Sequence, residues 1–507
     1  MIVYNAEKRQ FVLSTRKTTM VLRHGEEGLY NLYWGGTIRA EDIEAEEKWF
    51  HSSFDPDLWQ ERQEFSSYNG RTFTQPVLIA GEKGQNALFF RFETYHVEDN
   101  SLLITLREPH KRLELLLEYT VYEEFDIIGR RATLKNNGGS LDVQRFFSGC
   151  FTLPLFRGEC LRYLTGKWAG ECQIQDRELA PGTIELQSMR GIPGPHFNPS
   201  LALHEHAMEE AGDVWFGLLA YSGNWKICVE QTAFGNTNIL AGRNDFDGAE
   251  ILPGGTALST PMFYGGFSAN GFGGMSRLLH SFQISQMIRT PEVRPVLYNS
   301  WEATAFAVNV ESQKKLARRA AEMGVELFVV DDGWFGQRHS DTAGLGDWEV
   351  NKEKFPGGLE ELIDEVKSLN MAFGIWVEPE AVNPDSNLYR SHPDWIYHIP
   401  GAEPMTARNQ YVLDFSLPQV KAYVKEFLGK LLSRHDIQYL KWDMNRAITD
   451  VAGEDATGNG KKRRAHVEAL YEIWAWLRET FPHVALESCS GGGGRAVGRV
   501  VSPGVSN

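Results

Sequence analysis

Val325-Glu326-Leu327-Phe328-Val329-Val330-Asp331-Asp332-Gly333-Trp334 decides the fold of this chain. An apolar run rich in β-branched residues, too short for a helix, closes on two carboxylates and a glycine. Other runs after Pro291 end the same way. Residues 296–301 close on Trp301-Glu302, and 372–378 lead into Trp376-Val377-Glu378-Pro379-Glu380. Residues 437–443 close on Lys441-Trp442-Asp443, and 483–488 on Glu487-Ser488-Cys489. Helical spacing fills the intervals: Val420, Tyr423, Val424, Phe427, Leu428, Leu431 and Leu432 in one, Leu359, Leu362, Ile363, Val366 and Leu369 in another. A third helix is read over 313–323, with Gly324 as its stop. Repeated βα units mean a parallel sheet. Polar groups at the carboxyl ends of successive strands point to a TIM barrel, because a doubly wound sheet gathers its site at one switch point. The glycine run 491–494 lacks the spacing of a phosphate loop.

Upstream the rhythm differs. Residues 87–95, 113–122 and 127–134 read as strands. Asn136-Asn137-Gly138-Gly139, Tyr221-Ser222-Gly223-Asn224 and Pro253-Gly254-Gly255 read as turns. Many short strands broken by turn residues give a large β-sandwich over residues 1–271. A linker helix is expected within 272–290, and the barrel, with its first five βα units, over 291–507. The sandwich is expected to form an independent core.

The formal charge of −16 argues against nucleic acid or an anionic membrane as partner. Cys150, Cys160, Cys172, Cys228 and Cys489 are odd in number and lack metal-ligand spacing, which reads as reduced thiols in a cytoplasmic protein. The amino-terminal residues alternate apolar and polar side chains, unlike a signal peptide. No apolar stretch is long enough to span a membrane. Neither metal nor cofactor is expected.

The segment Lys441-Trp442-Asp443-Met444-Asn445-Arg446 resembles the nucleophile motif of family 36 glycoside hydrolases, the α-galactosidases. Asn299-Ser300-Trp301-Glu302, Asp331-Asp332-Gly333-Trp334, Trp376-Val377-Glu378-Pro379-Glu380, Arg408-Asn409-Gln410 and Glu487-Ser488-Cys489-Ser490-Gly491 extend the resemblance, in order. It implies retaining hydrolysis of terminal α-galactosyl residues from oligosaccharides such as melibiose and raffinose. Asp443 would be the nucleophile. Asp331 and Asp332 would accept hydrogen bonds from the galactose hydroxyls on C4 and C6, and Arg408 would bind the same unit. Lys441, Trp442, Met444, Asn445 and Cys489 would complete the sugar site, with Trp301 and Trp376 as apolar walls. Trp168 resembles a family tryptophan that reaches the pocket, and Asp57 is a further candidate. The family's longer members are expected to be homo-oligomers.

The residue types support these roles. Alternation on a strand points Lys441, Asp443 and Asn445 to one side. An ammonium close to Asp443 would keep a nucleophilic carboxylate charged; a structural Lys–Asp ion pair is the alternative. For Asp331-Asp332 the alternative is a helix N-cap. Lys461-Lys462-Arg463-Arg464 reads as a solvated helix start. After Arg495 no residue matches the family's general acid/base. The expectation is therefore a truncated barrel with impaired turnover, since retaining hydrolysis uses two carboxyl groups about 5–5.5 Å apart. A sugar-binding protein without catalysis, an α-N-acetylgalactosaminidase and a raffinose-type galactosyltransferase remain open alternatives.

Overall fold

The computed structural model describes residues 1–25, 28–39, 42–43, 53–54, 62–67, 73–82, 84–153, 159–288, 293–453 and 458–495. Asp57 lies outside the described residues, as does everything after Arg495.

Strand Leu113–Tyr122 buries every second residue, so Leu113, Leu115, Leu117, Tyr119 and Val121 turn inward together. It pairs antiparallel with Ser101–Glu108 and Ile127–Asn136 inside a ten-stranded sheet. A six-stranded sheet built on Leu141–Leu153 and Thr237–Arg243 contributes Phe147, Phe151 and Leu240 to the same core. Each such side chain stabilises by about 1.5–3 kcal/mol on burial, and together they make the sandwich. The turn residues fall where the strands end: 136–139 joins Ile127–Asn136 to Leu141–Leu153, and 221–224 joins Val214–Ala220 to Trp225–Gln231.

One strand differs from the sequence reading. Residues 87–90 are not in a strand, which instead runs over Arg91–Glu98. Its partner Ser101–Glu108 is in register from Glu98↔Ser101 to Arg91↔Arg107, so residues 87–90 have no ladder to join. Leu88 and Phe90 are buried all the same. The linker forms helix Gly271–Phe282 and a wider turn at Gln283–Met287. Phe272, Phe282 and Met287 pack there with Phe216 and Tyr264 of the ten-stranded sheet.

Beyond the linker, Leu297–Asn299, Leu327–Val330, Ala372–Val377, Tyr439–Trp442 and Ala485–Ser488 form a parallel sheet in chain order. The order never reverses, which is the arrangement of a barrel and gives a half-barrel here. Helix Val310–Glu322 begins on a capping box between Asn309 and Ser312 and stops before Gly324, whose φ of 83° suits glycine. Helix Pro418–Arg434 buries Val420, Val424, Phe427, Leu428, Leu431 and Leu432 against the sheet.

Helix Gly458–Thr480 joins the two halves. Val467 lies inside the sandwich core, and the Tyr471 hydroxyl accepts the Ser222 N–H at 2.9 Å. Arg463 pairs with Asp247 at 2.7 Å, and Arg464 pairs with Glu250. The basic run is thus not a solvated helix start. The helix presents two of its arginines to carboxylates of the sandwich, and a third cation, Lys462, to Asp414 at 3.1 Å.

Candidate active site

The carboxyl ends of the parallel strands converge on a cavity of about 600 Å³. Asp331, Asp332, Trp376, Lys441, Asp443 and Asn445 line it, with Trp301, Glu302, Arg408, Cys489, Gly491 and Gly492. Trp168 reaches the same cavity from the turn between Cys160–Lys167 and Gly170–Glu178 of the sandwich, and is 75% exposed. A larger groove of about 810 Å³ runs beside helix Pro418–Arg434. Of its carboxylates Asp347, Glu349 and Glu426, Asp347 is occupied as acceptor for the Asn387 and Leu388 N–H groups. Carboxylates, an ammonium and indoles that converge at the carboxyl ends of the parallel strands make the smaller cavity the candidate site.

Asp443 stands at the end of its strand and accepts four N–H groups. Trp376 Nε1 and Asn445 Nδ2 donate to Oδ2 at 3.1 and 2.9 Å. The Met444 and Gly491 backbone N–H groups donate to Oδ1 at 2.9 and 3.4 Å. This fixes the carboxylate rotamer with its oxygens toward the cavity. Lys441 does share the face of Asp443, as alternation requires, but its ammonium pairs with Asp331 Oδ2 at 2.8 Å. The ammonium is close enough to Asp443 to feel its charge, but its ion-pair partner is Asp331, which the shared face lets the long lysine reach across the intervening strand. Burial opposes the charge on Lys441, but Asp331 outweighs it, and the lysine is pushed up to about 12.

Asp331 also accepts Asn299 Nδ2 at 2.6 Å on Oδ2 and the Asp332 N–H at 2.9 Å on Oδ1. Asp332 receives both arms of the fully buried Arg338, at 2.9 and 2.8 Å. Burial pushes the Asp332 carboxyl upward and Arg338 pulls against that. Neither aspartate caps a helix. Cys489 is pushed up to about 12, first by burial and then by the neighbouring Asp443, so it faces the cavity as a thiol.

Two residues expected at the site are not in the cavity. Trp442 is fully buried on the opposite face of its strand, donates to Glu380 Oε1 at 2.8 Å and meets Trp474 edge-on. Met444 packs with Ile192, Tyr397 and Ile448, and only its N–H serves Asp443. Both follow from the alternation that brings Lys441, Asp443 and Asn445 inward. Trp376, expected as an apolar wall, also supplies an N–H donor. Arg338, Glu302 and Asn299 are functional neighbours that the sequence reading did not assign. Asn299 and Glu302 were legible as strand-end polar groups, whereas Arg338 lies in a loop with no periodic signal.

The third barrel connection, between Ala372–Val377 and Tyr439–Trp442, carries Arg408. A short antiparallel pair, Ala381–Val382 with Tyr411–Val412, brings back a turn in which Arg408 and Asn409 have φ of 54° and 58°. No described helix is long and apolar enough to cross a membrane.

Residues 27–252 match the glycosyl hydrolase family 36 N-terminal domain, and residues 257–502 match the Melibiase family. The second match runs seven residues past Arg495. The α-galactosidase AgaA of Geobacillus stearothermophilus is 35% identical over 97% of this chain and 73% of its own length. The galactosidase domain of an α-galactosidase–sucrose kinase, AgaSK, superposes with a TM-score of 0.93 at 32% identity, covering 98% of this chain and 73% of that one. A variant of AgaA in complex with stachyose gives 0.93 at 34% identity, covering 96% and 73%, and another structure of that enzyme holds raffinose.

Proposed function

The chain belongs to glycosyl hydrolase family 36, and from that premise we propose that it cleaves terminal α-galactosyl residues with retention, Asp443 being the nucleophile. The observation that carries the assignment is the Asp443 carboxylate, held by four N–H donors in a cavity at the carboxyl ends of parallel strands.

An Asp443 oxygen forms the bond to the anomeric carbon as the glycosidic bond to the leaving oxygen breaks. The leaving oxygen takes a proton from a general acid, and water then releases galactose from the enzyme ester. No described residue is assigned as that acid. Asp331 has about four lone-pair directions, of which three are filled by Asn299, Lys441 and the Asp332 N–H. The direction left over accepts a sugar hydroxyl. Asp332, clamped by Arg338, presents a second fixed acceptor, and Arg408 and Asn445 supply donors. Trp301 and Trp168 provide aromatic faces for the sugar rings.

Oligosaccharides of the raffinose type are the proposed substrates, as complexes of one relative, AgaA, hold raffinose and stachyose. All five cysteines are free, which supports a reducing, cytoplasmic location.

An α-D-galactosyl fluoride carries a leaving group that needs little protonation, so it reads the nucleophile alone. The full chain is expected to form a covalent galactosyl adduct on Asp443, and Asp443→Asn to form none. Undiminished labelling of the variant overturns the assignment.

A further inference from the structure

Glu378 follows strand Ala372–Val377 and is fully buried, outside the cavity lining. Its oxygens have different partners. Oε1 accepts the Asn445 N–H at 2.7 Å, and Oε2 accepts Gln410 Nε2 at 3.0 Å. Asn445 in turn donates to Asp443, and Gln410 closes the turn that carries Arg408. We infer that Glu378 is a positioning residue for the galactoside site, a buried carboxylate that locks the Arg408 turn to the segment carrying Asp443. The inference rests on the reading of that cavity as the galactoside site.

The turn needs such a lock. Arg408 and Asn409 are consecutive non-glycine residues in the left-handed region, a conformation costing about 1–3 kcal/mol each and kept only where the surroundings impose it. Several contacts impose it. Ala407 and Gln410 exchange backbone hydrogen bonds, Asn383 Nδ2 donates to Asn409 O at 2.6 Å, and the Arg446 guanidinium donates to Gln410 O. The Gln410 side chain, fully buried, is the tie from the turn to Glu378. With the turn held, the Arg408 side chain projects into the cavity from one side while Asp443 and Asn445 face it from another.

A carboxylate is a costly choice at this position. Burial, then the neighbouring Asp443, push Glu378 up to about 7, while Arg408 and the Asn445 N–H pull against them. Asp332 adds a further like charge that pushes Glu378 the same way as Asp443. A glutamine would be cheaper to bury, but it has a single acceptor oxygen. It would leave one of the two donors facing an amide N–H. Two acceptor oxygens on one side chain are what the arrangement requires, and only an acid supplies them.

That asymmetry gives a test. Glu378→Gln breaks one of the two bonds. Combining it with Gln410→Glu exchanges donor and acceptor: the introduced glutamine accepts from Asn445 and donates to the glutamate at position 410. The wild-type full chain, both single variants and the double variant are compared. The measurements are fluoride release from α-D-galactosyl fluoride, affinity for 1-deoxygalactonojirimycin and thermal unfolding. Glu378→Gln is expected to slow fluoride release by about 10²-fold, the scale of a displacement near 1 Å, and the double variant to recover to within about tenfold. If the wild type binds the inhibitor without releasing fluoride, the same pattern is read in inhibitor affinity. A folded Glu378→Gln variant that matches the wild type, or a folded double variant no better than the single ones, overturns the positioning role and leaves the galactoside reading standing. A wild type that neither binds the inhibitor nor releases fluoride overturns both.

Discussion

Lys441 lies two residues before Asp443 on one strand face, yet its ammonium joins Asp331, 2.8 Å away, and the two are largely buried. The lysine thus bridges the second and fourth barrel strands, while Asp443 is oriented by N–H groups. The ammonium sets the carboxylate proposed to bind sugar, and indole and amide donors set the proposed nucleophile. This division separates the effects of mutations at the two positions.

Removing the ammonium should therefore damage sugar binding and folding more than nucleophile geometry. Lys441→Met leaves Asp331 buried with Asn299 as its remaining side-chain donor. Breaking one half of a buried pair costs about 3–5 kcal/mol, which urea unfolding would detect. Inhibitor affinity should fall with it. A variant as stable as the wild type would mean that the pair contributes no net stability.

Trp376→Phe separates the two functions of that side chain. The ring remains, but the N–H to Asp443 is lost. A hydrogen bond to a carboxylate is worth about 1.5–3 kcal/mol, so labelling by galactosyl fluoride should slow roughly 10- to 100-fold. Inhibitor affinity should change much less. Equal losses in both would make Trp376 a wall of the sugar site only.

How much of this was legible in the sequence depends on whether a signal was local. The strands Leu327–Val330 and Tyr439–Trp442 were read from apolar runs, and the helix Pro418–Arg434 from its spacing, because each pattern repeats within a few residues. The inward face Lys441, Asp443, Asn445 followed from alternation. The same alternation, applied to Trp442 and Met444, would have sent both away from the cavity; the motif resemblance had grouped them with their neighbours. The Lys441–Asp331 pair, the Arg338 clamp on Asp332 and the Glu378 bridge were not legible. The first joins the second and fourth strands and the last joins the third and fourth, so only the assembled sheet brings them together, while the clamp lies within one irregular loop that has no periodic pattern to read. The contact of Arg463 and Arg464 with the sandwich was hidden for the same reason, since a basic run looks alike whether it meets water or carboxylates.

Those contacts predict that the two halves unfold together. Val467 shares the sandwich core, and Arg464 bridges to Glu250 with most of its side chain covered. Arg464→Glu should lower stability by about 3 kcal/mol, because it sets a carboxylate against Glu250 and Glu468 at a largely covered contact. Adding Glu250→Arg should restore much of the loss. Limited proteolysis of the wild type should spare both halves alike. Early release of a resistant sandwich fragment, with the barrel digested, would show that the interface contributes little.

Glu378 and Glu380, two residues apart, should give stability opposite dependences on pH. Burial alone would raise Glu380, but Arg495, His466 and the Trp442 N–H overcome it and hold the carboxyl near 2, against 4.5 for the free side chain. Its contribution is present above 4.5 and is lost as pH falls toward 2, because the unfolded chain takes up the proton first. Glu378, pushed up to about 7, keeps its proton in the folded state while the unfolded chain has released it. Between 4.5 and 7 the folded state binds more protons, so this group makes stability fall as pH rises through that window. Unfolding free energies measured from pH 3 to 8 should therefore slope downward less steeply between about 4.5 and 7 in Glu378→Gln, Glu159, also pushed up to about 7, keeping its own share. The same curve should become shallower on its acid side in Glu380→Gln, a variant that also leaves Arg495 buried without its carboxylate. If Glu378→Gln retains the wild-type slope across that window, Glu378 titrates near its free value, and its ionised form must be better solvated by Gln410 and Asn445 than burial implies.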